Sequence, residues 1–312
     1  MSLVKGATNY DGGYSDLLYK SKIGVGNEVV EKGAAYMYSN ISEKKELGRI
    51  SGTANPIRAW ASTPASTQTV TRSKRDLTMA DTMIYMVFQP NDWSGFWEKW
   101  QSVGVYTDLQ LNPELLGDIL ELTASNAGTQ SSALFWQGDT GGAVGVNEFD
   151  GIVTLALADA EVTDVVTSGA ITKANVIDII EDVWTAIPQR VRRDPNAAIN
   201  MSYTDFDFLQ QANLDAMKTT TGVLRTEQGF SFLGTPIRAF EGLTAGSIVA
   251  AASGNYEQSN LIYGTYFDAA TEYQNVRIGR VENNSELWFL RVNMKMAAQY
   301  RDGKDIVLYQ PV

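Results

Sequence analysis

The residue types that do most enzymatic proton transfer and metal binding are missing from this chain. Its 312 residues include no His and no Cys. That removes Ser-His-Asp triads, HExxH metal sites, thiolate ligands, Cys nucleophiles and disulfides together. Three arrangements could still do chemistry. Ser42-Glu43-Lys44-Lys45 has the SxxK spacing in which a lysine serves a serine nucleophile. The companion SDN and KTG elements are absent, and the serine sits at the edge of a basic segment. Glu181-Asp182 and Asp205/Asp207 could supply the acid and base of glycoside hydrolysis. They fall on helices whose apolar positions lie elsewhere, so a solvated face is the plainer reading. The run Gly138-Asp139-Thr140-Gly141-Gly142-Ala143-Val144-Gly145 has the glycine content of a phosphate loop. No Lys-Ser/Thr follows it, the GxGxxG spacing fails, and it comes after a helix instead of a strand. A tight turn with positive-φ glycines suits it better. No carboxylate cluster has calcium-loop spacing. The residues therefore point to a protein that is not an enzyme, with no catalytic, cofactor-binding or metal-binding side chains.

The elements around these residues suit a large, extended body. An apolar fraction of 44% is enough for a core, and no eighteen-residue apolar run exists that could span a membrane. The first ten residues are polar and carry no signal-peptide core. With 36 acidic and 25 basic residues the net charge is -11, which argues against tight, sequence-independent nucleic-acid binding. One segment runs against that balance. Between Lys44 and Arg75, the cations Lys44, Lys45, Arg49, Arg58, Arg72, Lys74 and Arg75 face a single acid, Glu46. Few apolar residues separate them, the Thr and Val content suits strands, and Asn55-Pro56 suits a turn, so a long, poorly buried hairpin is expected. Segment 146–187 is its opposite, with eight acids against Lys173.

Elsewhere, Leu77–Phe88 reads as a strand, and Trp93, Phe96, Trp97 and Trp100 as an aromatic helical face. A helix is expected from Pro113, capped by Asn112, with Leu115, Leu116, Ile119, Leu120 and Leu122 on its apolar face and an end near Ser125-Asn126. Val176, Ile177, Ile180, Val183, Trp184 and Ile187 make a second apolar face, capped by Thr172 and stopped by Pro188. A strand over 197–201 and a helix over 203–217, with Ser202 as its cap and Asp205 three residues on, follow. Leu290–Tyr300 alternates cleanly as one long strand.

The order of several short motifs resembles that of tailed-phage major capsid proteins, the Hong Kong 97-type fold. Trp136-Gln137-Gly138-Asp139-Thr140-Gly141-Gly142, then Phe149-Asp150-Gly151-Ile152, resembles the family's glycine-rich signature, with Asp-Thr in place of Asp-Gly. Trp184-Thr185-Ala186-Ile187-Pro188 closes a helix ahead of Asp194-Pro195-Asn196-Ala197-Ala198-Ile199-Asn200-Met201-Ser202, which is similar to a family strand. Phe232-Leu233-Gly234-Thr235-Pro236-Ile237 and Leu261-Ile262-Tyr263-Gly264 resemble two later strands, with Thr265 replacing the usual acid. The likeness runs from about Lys44 to the C-terminus.

The resemblance implies an α+β fold and a division of labour. Residues 1–43 would be an N-terminal arm lying on other surfaces. Residues 44–90 would form an extended E-loop hairpin and its following strand. Residues 91–147 with 280–300 would form a peripheral domain with a spine helix, and 148–279 with 301–312 an axial domain. Inter-subunit contacts would come from Lys44, Lys45, Arg49, Ile57, Arg58, Trp60, Arg72, Lys74 and Arg75. The partners would be copies of the chain in hexamers and pentamers, a portal, separate scaffolding or decoration proteins, and double-stranded DNA touched weakly, with no membrane. The chain would sit in a virion capsid assembled in the host cytoplasm. An encapsulin-like nanocompartment shell is the nearest alternative. A carbohydrate-binding or glycan-cleaving protein, resting on seven Trp and many acids, is the alternative from another class.

Overall fold

The computed structural model describes residues 18–52, 60, 62, 70–89, 113–165, 169–219, 230–254, 256–266, 276–282 and 287–310. Its elements, in chain order, begin with a π-helical turn (Lys20–Val25) and the short helix α1 (Glu28–Glu31). Strands β1 (Tyr36–Tyr38), β2 (Lys44–Gly52), β3 (Val70–Thr78) and β4 (Ala80–Phe88) follow. Next come helices α2 (Pro113–Gln137) and α3 (Ile152–Leu157), strand β5 (Thr163–Val165), and helices α4 (Val176–Ala186) and α5 (Gln189–Arg192). Strand β6 (Ala197–Ser202) leads into α6 (Tyr203–Thr219). The rest is β: β7 (Ser231–Phe232), β8 (Thr235–Phe240), β9 (Ile248–Ala252), β10 (Leu261–Tyr266), β11 (Val276–Arg280), β12 (Trp288–Tyr300) and β13 (Ile306–Tyr309).

The thirteen-residue strand β12 organises the first sheet. β4 lies antiparallel along one of its edges, from Trp288↔Phe88 to Met296↔Ala80. The other edge takes β11 and then β10 in succession, and β1 adds in parallel to β10. The even members of β12, from Trp288 and Leu290 to Tyr300, are buried, as its alternation requires. The second sheet has the order β5-β13-β9-β6-β8-β7. One apolar cluster joins the two sheets: Phe135 and Trp136 of α2 pack with Tyr263 and Tyr300 of the first sheet and Phe240, Val249 and Leu308 of the second. The opposite face of the second sheet buries Val176, Ile180 and Val183 of α4 and Leu209 of α6.

Several local expectations are corrected. Helix α2 does not end near Ser125-Asn126 but runs to Gln137. Those two polar residues point to solvent, while Ala124, Ala127, Ser131, Leu134 and Phe135 keep a buried stripe at helical spacing. Leu122 lies on the exposed side of that helix. Thr172 is not the cap of α4. Asn175 precedes its first residue, and the Asn175 side chain is held instead by the Thr172 amide and hydroxyl, at 2.7 and 2.9 Å. Asn112 and the Trp93–Trp100 stripe lie outside the described residues.

Two further features bear on the expected division of the chain. Of the expected arm over 1–43, residues 1–17 lie outside the described residues. The part from Leu18 onward is in the chain's own core, where Tyr19, Ile23, Val29, Val30, Ala34 and Ala35 are buried. Apolar residues that find a place in their own body have no surface left to offer elsewhere. Residues 261–266 and 276–280, which the resemblance places with the axial part, are hydrogen-bonded to β12 in the first sheet.

Candidate functional site

The hairpin β2–β3 pairs from Lys44↔Thr78 to Gly52↔Val70, as the composition of the basic segment required. Its two ends differ. At the base, Leu47, Leu77 and Met79 are buried with Ile41, Ile262 and Ala297. Gly264 makes room for this plug, since a Cβ there would sit 3.0 Å from both the Leu77 and Met79 side chains. Further out the apolar residues face solvent: Ile50 and Val70 are each 77% exposed, and Trp60 is 90% exposed.

The cations divide in the same way. Lys44 pairs with Asp76 at 2.7 Å, Lys74 with Glu46, and Lys45 sits 3.3 Å from the centre of the Tyr38 ring. Arg49 reaches Asp302 at 2.8 Å and Glu161 at 3.3 Å. Arg75 lies over the Tyr300 ring, pairs with Asp159, and stands 3.5 Å from Glu161. Arg72 is exposed on β3. Ile57 and Arg58 lie outside the described residues. Of the nine expected contact residues, then, Lys44 and Lys74 are engaged by acids of the hairpin itself, Arg49 and Arg75 by acids of the body, and Trp60 and Arg72 face outward.

The acids that receive them come from two turns. Asp159 and Glu161 follow α3; Asp302 caps the 3₁₀ turn Gly303–Asp305 through the Lys304 amide at 3.0 Å. Lys304 stands 3.7 Å from Glu161, and Arg190 bridges Asp302 and Asp305 at 3.4 and 2.5 Å. Burial pushes the Asp159 carboxyl up, but the Glu161 amide, the Tyr300 hydroxyl (2.8 Å) and Arg75 outweigh it and hold the group below the usual carboxylate range. Burial raises Asp305, and nearby Asp302 adds to the rise against the pull of Arg190. The sequence reading saw the acidic character of 146–187 but not that two of its acids close on the same chain's hairpin. Asp302 and Asp305 lie in the C-terminal turn, and spacing gives no sign of them.

The other chemical candidates resolve into structure. The glycine run is a turn in which Gly138 and Gly151 touch backbone to backbone. A Cβ on Gly138 would fall 2.2 Å from the Phe149 carbonyl, and one on Gly151 would fall 2.6 Å from the Gly138 amide. Thr140 is fastened to Asp150 at 2.8 Å, and Gly145 carries the positive φ, +99°. Asp205 is not part of a solvated face: it is 1% exposed, and accepts hydrogen bonds from the Ser202 hydroxyl and the Gly246 amide, each at 2.8 Å. The Asp205 amide donates back to Ser202 at 3.1 Å, so the acid is committed to the N-terminus of α6. Burial pushes its carboxyl up against those two bonds. Glu181, Asp182 and Asp207 are exposed as expected. Ser42 is exposed on the approach to β2, with the Lys45 ammonium held on Tyr38. Among the described residues no group of three or more acids is placed to hold a metal ion, and no helix is long and apolar enough to cross a membrane.

No protein-family model and no curated protein matches the chain in sequence. Solved structures match over nearly its whole length. The capsid of Myoviridae phage XM1 is 11% identical with a TM-score of 0.56, covering 91% of this chain and 92% of that one. The procapsid of satellite phage P4, which includes a size determination protein, is 9% identical with a TM-score of 0.56, covering 98% and 93%. A virus-like particle from Pyrococcus furiosus is 9% identical with a TM-score of 0.50, covering 95% and 98%. The fold is thus the α+β, Hong Kong 97-type fold of tailed-phage capsid proteins. At such identities the likeness speaks for the fold.

Proposed function

We propose that this chain is the major capsid protein of a tailed bacteriophage, self-assembling into hexamers and pentamers of an icosahedral shell around double-stranded DNA. The observation that carries the reading is the outer half of the hairpin, where Ile50, Val70 and Arg72 on the strands, and Trp60 between the strands in sequence, are exposed to solvent. A two-stranded ribbon is marginal in water without a surface to pack on, and a neighbouring copy in a closed ring supplies one. Apolar contacts there would give the grip and the outer cations the steering, because exposed ion pairs contribute only about 0–1 kcal/mol each. The capsid neighbours support the same reading. A virion location, a portal, and separate scaffolding or decoration proteins belong to this proposal. No enzymatic step is part of it. Electron microscopy of the purified, concentrated chain tests it: closed shells or capsomer rings are expected, and dispersed monomers under all conditions would overturn it.

An encapsulin-like shell is a second reading, favoured by the likeness to the Pyrococcus furiosus particle. The contents of particles purified from the native source separate the two. Packaged double-stranded DNA supports the phage capsid, and a protein cargo supports the compartment. The glycan-cleaving alternative loses Asp205, whose carboxyl is occupied at the start of α6.

A further inference from the structure

The ion pairs at the hairpin base have a geometry that does more than balance charge. Arg49 and Arg75 lie on alternate rungs of the β-ladder, Arg49↔Ser73 and Leu47↔Arg75 with Gly48↔Lys74 between them, and both turn toward the body. Their acceptors come from chain segments about 140 residues apart, the Asp159–Glu161 turn and the Asp302–Asp305 turn. Those two turns meet at Gly303, where a Cβ would lie 2.6 Å from the Asp159 carboxylate and 3.4 Å from the Arg75 guanidinium. Any side chain at 303 would push the acid away from the arginine. The Tyr300 hydroxyl fixes Asp159 from below, also reaching the Leu155 carbonyl at 3.1 Å, while its ring carries Arg75. On the next rung out, Ile50↔Arg72, Ile50 and Arg72 are both exposed.

We propose that Arg49 and Arg75, clamped by Asp159, Glu161 and Asp302, form an ionic latch that sets the direction in which the hairpin leaves the body, with the pivot one rung beyond it. The buried plug of Leu47 and Leu77 holds the root of the hairpin in place; the latch fixes its bearing. Gly48 is the weak point between them, with no atom within 4 Å of where a Cβ would stand. The charged and titratable groups facing the latch are Tyr300 from β12, Arg190 from α5, Lys304 and Asp305 from the 3₁₀ turn, and Asp164 of β5, across a cleft of about 310 Å³ that Asp159 also lines. That cleft gives water and salt a way to Asp159. A half-wet ion cluster of this kind holds at low salt and loosens at high salt, so the hairpin can be fixed in the free subunit and re-aimed when conditions or neighbours change. The inference concerns contacts within one chain and stands or falls independently of the shell reading.

Hydrogen–deuterium exchange of the full-length subunit, kept unassembled by dilution, tests it. The double variant Asp159→Asn, Glu161→Gln should speed exchange at amides of 49–52 and 70–75 about tenfold, a factor typical of coupled charge networks. Amides of β6 and β9 should keep their wild-type rates, as should the whole hairpin of a Glu46→Gln control. Hairpin exchange no faster than in that control overturns the latch. If the double variant loosens the whole body, the wild type decides: raising NaCl from 50 to 500 mM should speed exchange in the outer hairpin and leave β6 and β9 alone. No salt effect there overturns the proposal.

Discussion

The two halves of one hairpin both carry apolar residues and arginines, and these meet opposite fates. In the inner half, Leu47 and Leu77 are sealed against Ile262 and Ala297, and two arginines are neutralised by the body. In the outer half, Ile50, Trp60 and Val70 are exposed, and Arg72 stands in solvent. The difference teaches that charge and β-propensity make a ribbon, but its surroundings decide whether a residue serves the subunit's own stability or its contacts with others.

Truncation should give the largest contrast between the halves. Leu77→Ala empties a fully buried position and should cost about 3 kcal/mol of unfolding free energy, while Trp60→Ala should change it by less than about 0.5 kcal/mol. Urea unfolding of the two variants measures this; equal losses would erase the distinction. Trp60→Ala should instead reduce the yield of assembled particles in sedimentation.

Asp159→Asn tests the ionic side of the base. Because the folded-state carboxyl titrates below its ordinary value of about 3.9, its stabilisation is complete above that value and disappears as pH falls through the depressed one. The variant should be less stable than wild type by about 2 kcal/mol at pH 7, and the gap should narrow as the pH falls below the ordinary carboxylate value. Asp305 works in the opposite sense, being raised; its direct partner is Arg190, and Arg49 of the hairpin acts on it only through its charge. A gap that persists at low pH would assign the loss to packing.

A smaller effect is expected at Gly48, between the two latch rungs. Gly48→Ala meets open space and should stabilise the subunit by about 0.5 kcal/mol through the unfolded chain, while slowing amide exchange in 49–52. Smallest of all in stability is Arg72→Glu, which should shift unfolding by less than about 0.5 kcal/mol yet slow DNA-free assembly followed by light scattering. Arg75→Glu should do the reverse, destabilising the subunit by setting a carboxylate against Asp159 and Glu161. If only packaging suffers in Arg72→Glu, the outer cations face DNA instead of a neighbour.

Much of this protein was legible before any coordinates. The hairpin followed from seven cations, Thr and Val with little to bury, and the body strand from strict alternation over Leu290–Tyr300. Pro188 ended α4 where its missing amide required, with Ile187 already extended. These are local properties of backbone and periodicity. The length of α2 was misjudged because Ser125 and Asn126 carry weak propensity costs that a buried stripe overrides. Asp205 is the capping partner of Ser202 that its spacing implies, but its place on a solvated face fails because burial of an acid depends on an amide 41 residues away, at Gly246.

By itself the sequence determined several of the longer strands and helices, that histidine and cysteine chemistry is excluded, and that one basic ribbon stands out in an acidic chain. Tertiary structure alone decided which basic residues belong to the subunit. Arg49, Arg72 and Arg75 are alike in sequence, each an arginine in a β-ribbon. They differ only because Gly303 lets two distant turns close on Asp159, Glu161 and Asp302 within reach of the first and the third. Charge pairing across more than a hundred residues is set by where the backbone travels, and no local pattern encodes that path.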